Sequence, residues 1–377
     1  TSVAQGRLFG IEMPQIAVDA LQLPGDLQVP SGSILFTGLI GTESLSTFFQ
    51  TTYHFTDWVA LTLGGRYQEE ERSIIDSSSY LQAVDGGPAV LYISSNDKSR
   101  FPDLKTERFS PKVGLEFRFL DDTLAYATWQ KAAKSATYNV QNILSFAQKV
   151  KPEDVTVYEV GLKSEFFNGL VRSTVSAFHY DLKNQQVQFV SLLAGGAIVF
   201  ENAPRGRIKG FDFDVLAQIA PSLVDGLYLT ASGAYLDAIF TDYPSGSGFD
   251  PVTGIYTQSG NYTGNVIPRS PEFSGRVGLN KVFGFDVSSL EISADAYHNS
   301  GYFTSASNNG PSEQKAYTLA NLRAAYEYEP ARVTLSFFVR NLTDKAYSIS
   351  KLNNDFGTLT GLAAPRTIGM SIDWQYY

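Results

Sequence analysis

The last stretch of the chain alternates strictly between apolar and polar side chains. In residues 366–377, RTIGMSIDWQYY, the polar residues separate a regular apolar series: Ile368, Met370, Ile372, Trp374 and Tyr376. Neighbouring side chains of a β-strand point to opposite sides. One side of this strand therefore meets an apolar environment and the other side a polar one.

The same alternation recurs in about thirteen segments after residue 44, for example in 113–119 and 333–339. Many of them approach the roughly 9–11 residues with which a tilted strand crosses a bilayer. The chain has no run of 18 uncharged apolar residues, so a transmembrane helix is not expected. The apolar environment is then either the core of a soluble β-sandwich or the hydrocarbon of a membrane.

The connections between the segments favour the membrane. Short turns have the sequences FTDW, LDDT, FNGL, EPAR, PSLVDG and GFDVSS. Long polar stretches alternate with them at 74–107, 135–154, 191–207, 237–270, 299–316 and 340–366. A sandwich is expected to mix connection lengths, whereas an outer-membrane barrel collects short turns on one rim and long loops on the other. Aromatic residues also cluster beside the short turns, where a membrane interface would lie. These patterns predict an all-β transmembrane antiparallel β-barrel.

Composition argues against several classes of function. The net charge of -9, without any Lys/Arg-rich run, argues against a nucleic-acid partner. The chain has no cysteine, and its three histidines, His54, His179 and His298, fall in separate strands without metal-ligand spacing. Neither a nucleophile elbow nor a phosphate-binding glycine motif is present. We therefore expect no enzyme activity, no metal site and no cofactor.

Two motifs near the end of the chain resemble a known family. RNLTDKAYS (340–348), followed by a long loop and APRTIGMSIDWQYY (364–377), resembles the C-terminal end of TonB-dependent outer-membrane receptors. Further stretches at 109–139, 157–181, 207–215 and 264–275 fit in the same order. The resemblance covers about residues 45–377 and is strongest to the branch of siderophore or iron-complex receptors.

The resemblance implies a 22-stranded barrel that holds a plug domain. We expect residues 45–377 to form about 13 C-terminal strands of such a barrel, without the plug. Residues 1–44 show no clear alternation and are expected to be an irregular extracellular segment. The chain begins at Thr1 without a signal-peptide pattern, so we expect a processed or truncated piece of a longer protein.

The resemblance also implies location and partners. The location is the outer membrane of a Gram-negative bacterium. The partners are TonB, acting through a plug segment absent here, a siderophore or other nutrient, outer-membrane lipid, and the barrel-assembly machinery that recognises the last strand. The aromatic register of that strand ends at Tyr376, one residue before the terminus.

Two sets of residues are candidates for ligand binding. Arg205 and Arg207, with Lys209, approach one end of a strand and are suited to an anionic ferric chelate, or they pair with neighbouring carboxylates. Aromatic residues of the long loops are suited to capture a ligand by stacking, or they pack the loops on each other. The candidates of this second set are Tyr138, Tyr243, Tyr262 and Tyr302.

The sequence as a whole predicts TonB-coupled import of a scarce nutrient, with a ferric siderophore or another iron complex as the leading ligand. A passive porin-like channel or a plugless barrel remnant is the alternative. A barrel lipase or protease is disfavoured because no nucleophile constellation is visible. The sequence leaves the identity of the ligand open.

Overall fold

The computed structural model consists of one large antiparallel sheet with small hairpins at one end. It describes residues 2–9, 32–83, 87–120, 122–191, 194–219, 221, 224–250, 256–355 and 357–376. The main sheet has fifteen strands, and fourteen of them follow each other in chain order. No helix in this part of the chain is long and apolar enough to span a membrane.

The fourteen consecutive strands pair only with their neighbours along the path. They are β1 (Ser2–Phe9), β2 (Gly32–Thr56), β3 (Val59–Ala83), β5 (Leu104–Leu120), β6 (Thr123–Lys134), β9 (Glu153–Phe166), β10 (Val171–Ser191), β11 (Gly196–Gln218), β12 (Leu227–Asp242), β15 (Phe273–Phe285), β16 (Ser288–Phe303), β17 (Glu313–Tyr328), β18 (Val333–Arg340) and β21 (Thr367–Trp374). The fifteenth strand, β4 (Val90–Ser94), pairs with β3 beside this path.

Three hairpins and two short 3₁₀ turns lie in the connections. The hairpins are β7 (Thr137–Asn139) with β8 (Gln148–Val150), β13 (Gly246–Phe249) with β14 (Tyr256–Gly260), and β19 (Ser348–Asn354) with β20 (Gly357–Leu362). The 3₁₀ turns are Gly310–Ser312 and Glu329–Ala331.

The two ends of the main sheet differ in the length of their connections. Because consecutive strands are antiparallel, every second connection lies at the same end. The tight turns at 57–58, 167–170, 286–287 and 329–332 share one end, which we call the short-turn end. All three hairpins lie at the opposite, long-loop end. The predicted sorting therefore holds for these connections, but not for the connection between β10 and β11, which lies at the long-loop end and spans only 192–195.

The sheet has one apolar face and one polar face. The register brings apolar side chains of successive strands next to each other in an almost continuous row, from β2 to β21. Members of this row are Tyr53, Leu61, Leu115, Val160, Phe211, Tyr235, Leu279, Leu322, Val339 and Ile368. Many are exposed, Val160 by 56% and Phe211 by 45%. A face this apolar and this exposed needs an apolar environment outside the protein.

The polar face carries charged side chains and flat aromatic rings. Arg66, Glu159, Asp212, Asp295 and Arg323 all belong to it by register. A Cβ placed on Gly161 would collide with the ring of Tyr126, whose hydroxyl donates a 2.7 Å hydrogen bond to Glu159. Glycine thus lets an aromatic ring lie against the strand rather than project from it.

The structure differs from the expectation for two segments. Residues 1–44, expected to be irregular, contribute β1 and the first part of β2. In β2 the apolar residues Ile34, Leu35 and Phe36 are adjacent, so a search for alternation misses the strand. The stretch 191–207, expected to be a long loop, is mostly strand, because β11 already begins at Gly196. The extracellular position of residues 1–44 stays a prediction, and residues 10–31 lie outside the described part.

Candidate functional site at the long-loop end

The connection between β6 and β9 packs onto the long-loop end through a first hydrophobic core, the Tyr138 cluster. Its buried members are Ile74, Phe101, Leu104, Ala136, Tyr138, Val140 and Ala147. The ring of Tyr138 meets that of Phe101 edge to face at 6.3 Å, and its hydroxyl donates a 2.9 Å hydrogen bond to the carbonyl of Pro102. Burial raises the pKa of the Tyr138 hydroxyl, which keeps it protonated as a donor.

The connection between β12 and β15 has its own core, the Tyr243 cluster. Its buried members are Leu182, Val187, Ala203, Ala238, Phe240, Tyr243, Tyr262, Ile267 and Ala306. The Tyr243 hydroxyl donates to the carboxylate of Glu201, which also accepts a 2.7 Å hydrogen bond from the backbone of Ser247. Burial, followed by the charge of Glu201, raises the pKa of Tyr243. The carboxylate of Glu201 therefore links this connection to β11.

The ring of Tyr262 lies beneath the β13–β14 hairpin. A Cβ on Gly260 would come 2.5 Å from the ring, and a Cβ on Gly248 would come 2.6 Å from the hydroxyl oxygen. Gly246 approaches the ring just as closely. Burial, followed by the charge of Glu201, raises the pKa of Tyr262 to about 12. The glycines let the hairpin backbone pass directly over an aromatic ring.

Asparagine side chains join the connections to nearby backbone through paired hydrogen bonds. Asn139 accepts from the Phe200 N–H at 2.9 Å and donates to the Phe200 carbonyl at 2.8 Å. Asn202 makes the same pair with Lys151, and Asn308 makes it with Val266. An amide side chain can do this because it holds a donor and an acceptor side by side, as a neighbouring strand does. These contacts fix the long connections in place.

We expect Asn202→Ala to destabilise the connection 135–152 by about 2 kcal/mol, since its two hydrogen bonds to Lys151, each contributing about 1 kcal/mol, are lost. Limited proteolysis should then cut this connection faster than in the unchanged protein. Gln148→Ala, an exposed position in the same connection, is the matched control and should leave the rate unchanged. Equal rates for the two variants would contradict the proposed role of Asn202.

The RNLTD motif forms the last long connection. Asn341 has a left-handed backbone (φ 51°), and its side chain accepts from the Lys345 N–H at 2.8 Å and donates to the Lys345 carbonyl at 3.0 Å. Asp344, also left-handed, accepts a 2.8 Å hydrogen bond from the backbone of Arg366. Tyr347 stacks on Tyr317 of β17 at 4.5 Å. The motif thus connects the end of β18 to the start of β21.

The structure separates the residues predicted to bind a ligand. Tyr243 and Tyr262 are in contact, with 5.3 Å between ring centroids, whereas Tyr138 belongs to the other cluster. These three side chains are buried, at 1%, 4% and 7% exposed respectively, and they pack connections together. Their contact with a ligand stays a prediction.

Tyr302 is half-buried and accessible from a cavity. It lines a depression of about 350 Å³ between the long-loop ends of β12 and β16. Glu272, Phe303 and Glu313 line the same depression. Tyr302 is therefore the one of the four predicted tyrosines that a solute can reach from this depression.

Arg205 and Arg207 lie on the apolar face. Arg207 is two alternations and Arg205 three alternations along β11 from Phe211, on the same side of the strand. Arg205 is exposed, and Nη2 of Arg207 lies 3.0 Å from the Asp237 carboxylate. The pairing with neighbouring carboxylates that the sequence left open is thus present for Arg207, and neither arginine shares a face with Asp212.

The polar face contains a depression of about 510 Å³ that the sequence analysis did not identify. Its charged lining residues are Arg276, Asp295, Arg323 and Arg340. Arg323 donates to Glu291 at 3.2 Å and to Ser336 at 3.0 Å. The sequence alternates in 290–296 and 322–328, which indicates a polar side for Glu291 and Arg323, but their grouping depends on the register of β16, β17 and β18. The polar face can contact water and hydrophilic solutes at this depression.

No group of three or more His, Cys, Asp or Glu side chains in the described part of the chain is arranged to hold a metal ion.

Residues 9–342 match the family of the TonB dependent receptor-like beta-barrel. The chain is 21% identical over 343 residues to the probable TonB-dependent siderophore receptor PiuA of Acinetobacter baumannii, covering 89% of this chain and 41% of that protein. It is 24% identical over 284 residues to the metal-pseudopaline receptor CntO of Pseudomonas aeruginosa, covering 74% and 36%. The chain thus spans about two fifths of the length of these curated relatives.

Solved structures agree with this match in their fold. The ferric yersiniabactin uptake receptor FyuA of Yersinia pestis superposes with a TM-score of 0.71 at 16% identity, over 92% of this chain and 49% of that one. The copper transporter OprC superposes with a TM-score of 0.66 at 16% identity, over 92% and 54%. The sheet described above is therefore the barrel wall of such receptors, and the predicted fold is confirmed. The chain belongs to the family of TonB-dependent receptor beta-barrels.

Proposed function

We propose that the chain forms the wall and the outer loops of an outer-membrane receptor that imports a metal chelate with energy from TonB. The observation that carries the proposal is the family match over residues 9–342. Relatives of the chain include receptors for a siderophore and for metal-pseudopaline. A ferric siderophore or a similar chelate is accordingly the ligand class. We assign the protein transport, with no catalytic step.

The geometry supports this proposal in two ways. The apolar face is suited to hydrocarbon and the polar face to an aqueous lumen, as a transmembrane barrel requires. The long connections hold two packed cores at one end of the wall, and Tyr302, at the same end of β16, is a reachable aromatic residue. Ordered loops of this kind provide a fixed surface for capture, which we place outside the cell.

The test is the uptake of radiolabelled iron offered as a panel of ferric chelates. We expect cells that lack the gene to lose uptake of at least one chelate, and the complete gene to restore it. Removal of TonB should abolish the same uptake, because the proposal couples import to that energy source. Uptake that persists without TonB would overturn coupling, and no loss for any chelate would overturn the ligand class.

A passive channel is the second candidate, favoured by the polar wall around Arg276 and Arg323. It predicts steady, ohmic conductance when the full-length protein is placed in a planar bilayer. A receptor is expected to be nearly silent in the same experiment.

A further inference from the structure

The β19–β20 hairpin joins one part of the wall to a distant strand. It belongs to the connection between β18 and β21. Asp355, the residue after β19, accepts a 2.9 Å hydrogen bond from the hydroxyl of Ser191 at the end of β10. Five strands of the main sheet, β11, β12, β15, β16 and β17, lie between β10 and β18. The contact therefore connects two regions that are far apart along the sheet.

The hairpin reaches Ser191 on the polar side of the wall. At its base Tyr347 stacks on Tyr317, which has the same parity along β17 as Arg323 of the polar face. In a barrel with a polar lumen, a line between strands that are not neighbours passes over the lumen. The seven residues of β19 extend about 23 Å, and the six strand spacings from β10 to β18 follow an arc of about 29 Å. The hairpin is thus long enough to lie across most of this part of the entrance.

Polar contacts hold the hairpin along its length. The Ser348 N–H donates a 2.9 Å hydrogen bond to the side chain of Gln314 at the start of β17, and Asn353 donates one of 2.8 Å to Asn309. Neither hydrophobic core of the long-loop end includes a described residue of the hairpin. Its position therefore depends on polar contacts, and the one with Ser191 fixes its far end.

The hydroxyl of Ser191 is a buried and fully used anchor. Ser191 is 0% exposed, and its oxygen also accepts a 3.0 Å hydrogen bond from the Ala194 N–H. A hydrogen bond to a charged carboxylate is stronger than one between neutral groups. Loss of this bond would also leave a buried donor without its partner, which is costly. The far end of the hairpin is therefore expected to stay attached while a solute passes.

We propose that the β19–β20 hairpin is a fixed bar across the entrance to the polar face, and that the Ser191–Asp355 hydrogen bond limits the size of the solutes that pass it. This inference rests on the proposed entry of a chelate from the long-loop end. It makes Asp355 a positioning residue for specificity, which acts by excluding large solutes rather than by contact with the ligand. A hairpin that lifted for every solute would instead need a weak contact at its far end.

The test measures how fast maleimides reach a cysteine on the polar face of the full-length protein in intact cells. Residues 1–377 contain no cysteine, so Leu319→Cys, at a half-buried position of β17 on the polar face, introduces the reporter. A small maleimide should label it at the same rate with and without Asp355→Ala. A maleimide that carries a polyethylene glycol chain should label it about tenfold faster with Asp355→Ala, because the far end of the hairpin is released.

Two further variants identify the contact responsible. Ser191→Ala removes the same hydrogen bond from the other side, so the two substitutions together should have no larger effect than either alone. Thr360→Ala, at an exposed position of β20, is the matched control and should leave both rates unchanged.

Four outcomes would overturn the proposal. They are equal labelling of Asp355→Ala and the control by the large reagent, an equal acceleration for the small maleimide, no labelling of the reporter by the small maleimide, and additive effects of the two alanine substitutions. Size-dependent labelling in cells that take up no ferric chelate would overturn the proposed import and leave the role of the hairpin standing.

Discussion

Replacing Asn341 by alanine is expected to lower the free energy of unfolding of the barrel wall by about 3 kcal/mol. The substitution removes both side-chain hydrogen bonds to Lys345, each contributing about 1 kcal/mol. It also places alanine at φ 51°, where an ordinary side chain costs roughly 1 kcal/mol. Urea titration of tryptophan fluorescence in detergent measures the change.

Two related substitutions test whether the loss of stability is specific to the side chain of Asn341. Thr343→Ala alters an exposed position in the same turn and should change the stability by less than about 0.5 kcal/mol. Asn341→Asp keeps the acceptor for the Lys345 N–H and loses the donor to the Lys345 carbonyl. Its stability should therefore lie between those of Asn341→Ala and Thr343→Ala. If Asn341→Ala were as stable as Thr343→Ala, the turn would not hold the last strand in the way described.

The second large effect is expected at Gly260. An alanine methyl group there would lie 2.5 Å from the ring of Tyr262, which is only 4% exposed and has little room to move. Overpacking of this kind costs about 3 kcal/mol and should open the β13–β14 hairpin locally. Hydrogen exchange of the hairpin amides should therefore become faster in Gly260→Ala.

The ring itself can be tested by a double variant. Tyr262→Ala combined with Gly260→Ala removes the collision, so the two substitutions together should cost less than the sum of their separate effects. Gly310→Ala is the matched control, because a Cβ there has no atom within 4 Å. Strict additivity of the two substitutions would show that the glycine is not needed to accommodate the ring.

The sequence predicts the wall better than it predicts the loops. Alternation is repeated in strand after strand, and the tight turns, such as FTDW, contain residues that favour turns. The positions of strands and tight turns therefore follow from local sequence patterns. The Tyr243 cluster joins residues as far apart as Leu182 and Ala306. No local pattern encodes such a contact. For the same reason the stretch 237–270, expected to be a long polar connection, contains the hairpin of β13 and β14.

The sequence is sufficient to predict the face of the sheet on which Arg205 and Arg207 lie, once their strand is known to be continuous. Both have the same parity as Phe211, whose alternation with Asp212 and Asp214 indicates an apolar side. The inference requires the strand to continue without interruption through residues that look like a loop, and β11 does so from Gly196 onward. The residues of β11 from 201 to 207, ENAPRGR, are mostly polar or turn-forming, so the sequence gives no sign that the strand continues through them.

The packed connections at the long-loop end have a consequence for the energetics of capture. A disordered loop must surrender conformational freedom when it closes on a solute, and that loss is subtracted from the affinity. Here the two aromatic cores and the paired hydrogen bonds of the asparagine side chains already fix the backbone of the described connections before any solute binds. If the proposed capture of a chelate takes place on this surface, association should be rapid and show a modest entropic penalty, and discrimination between chelates should depend on shape rather than on induced closure.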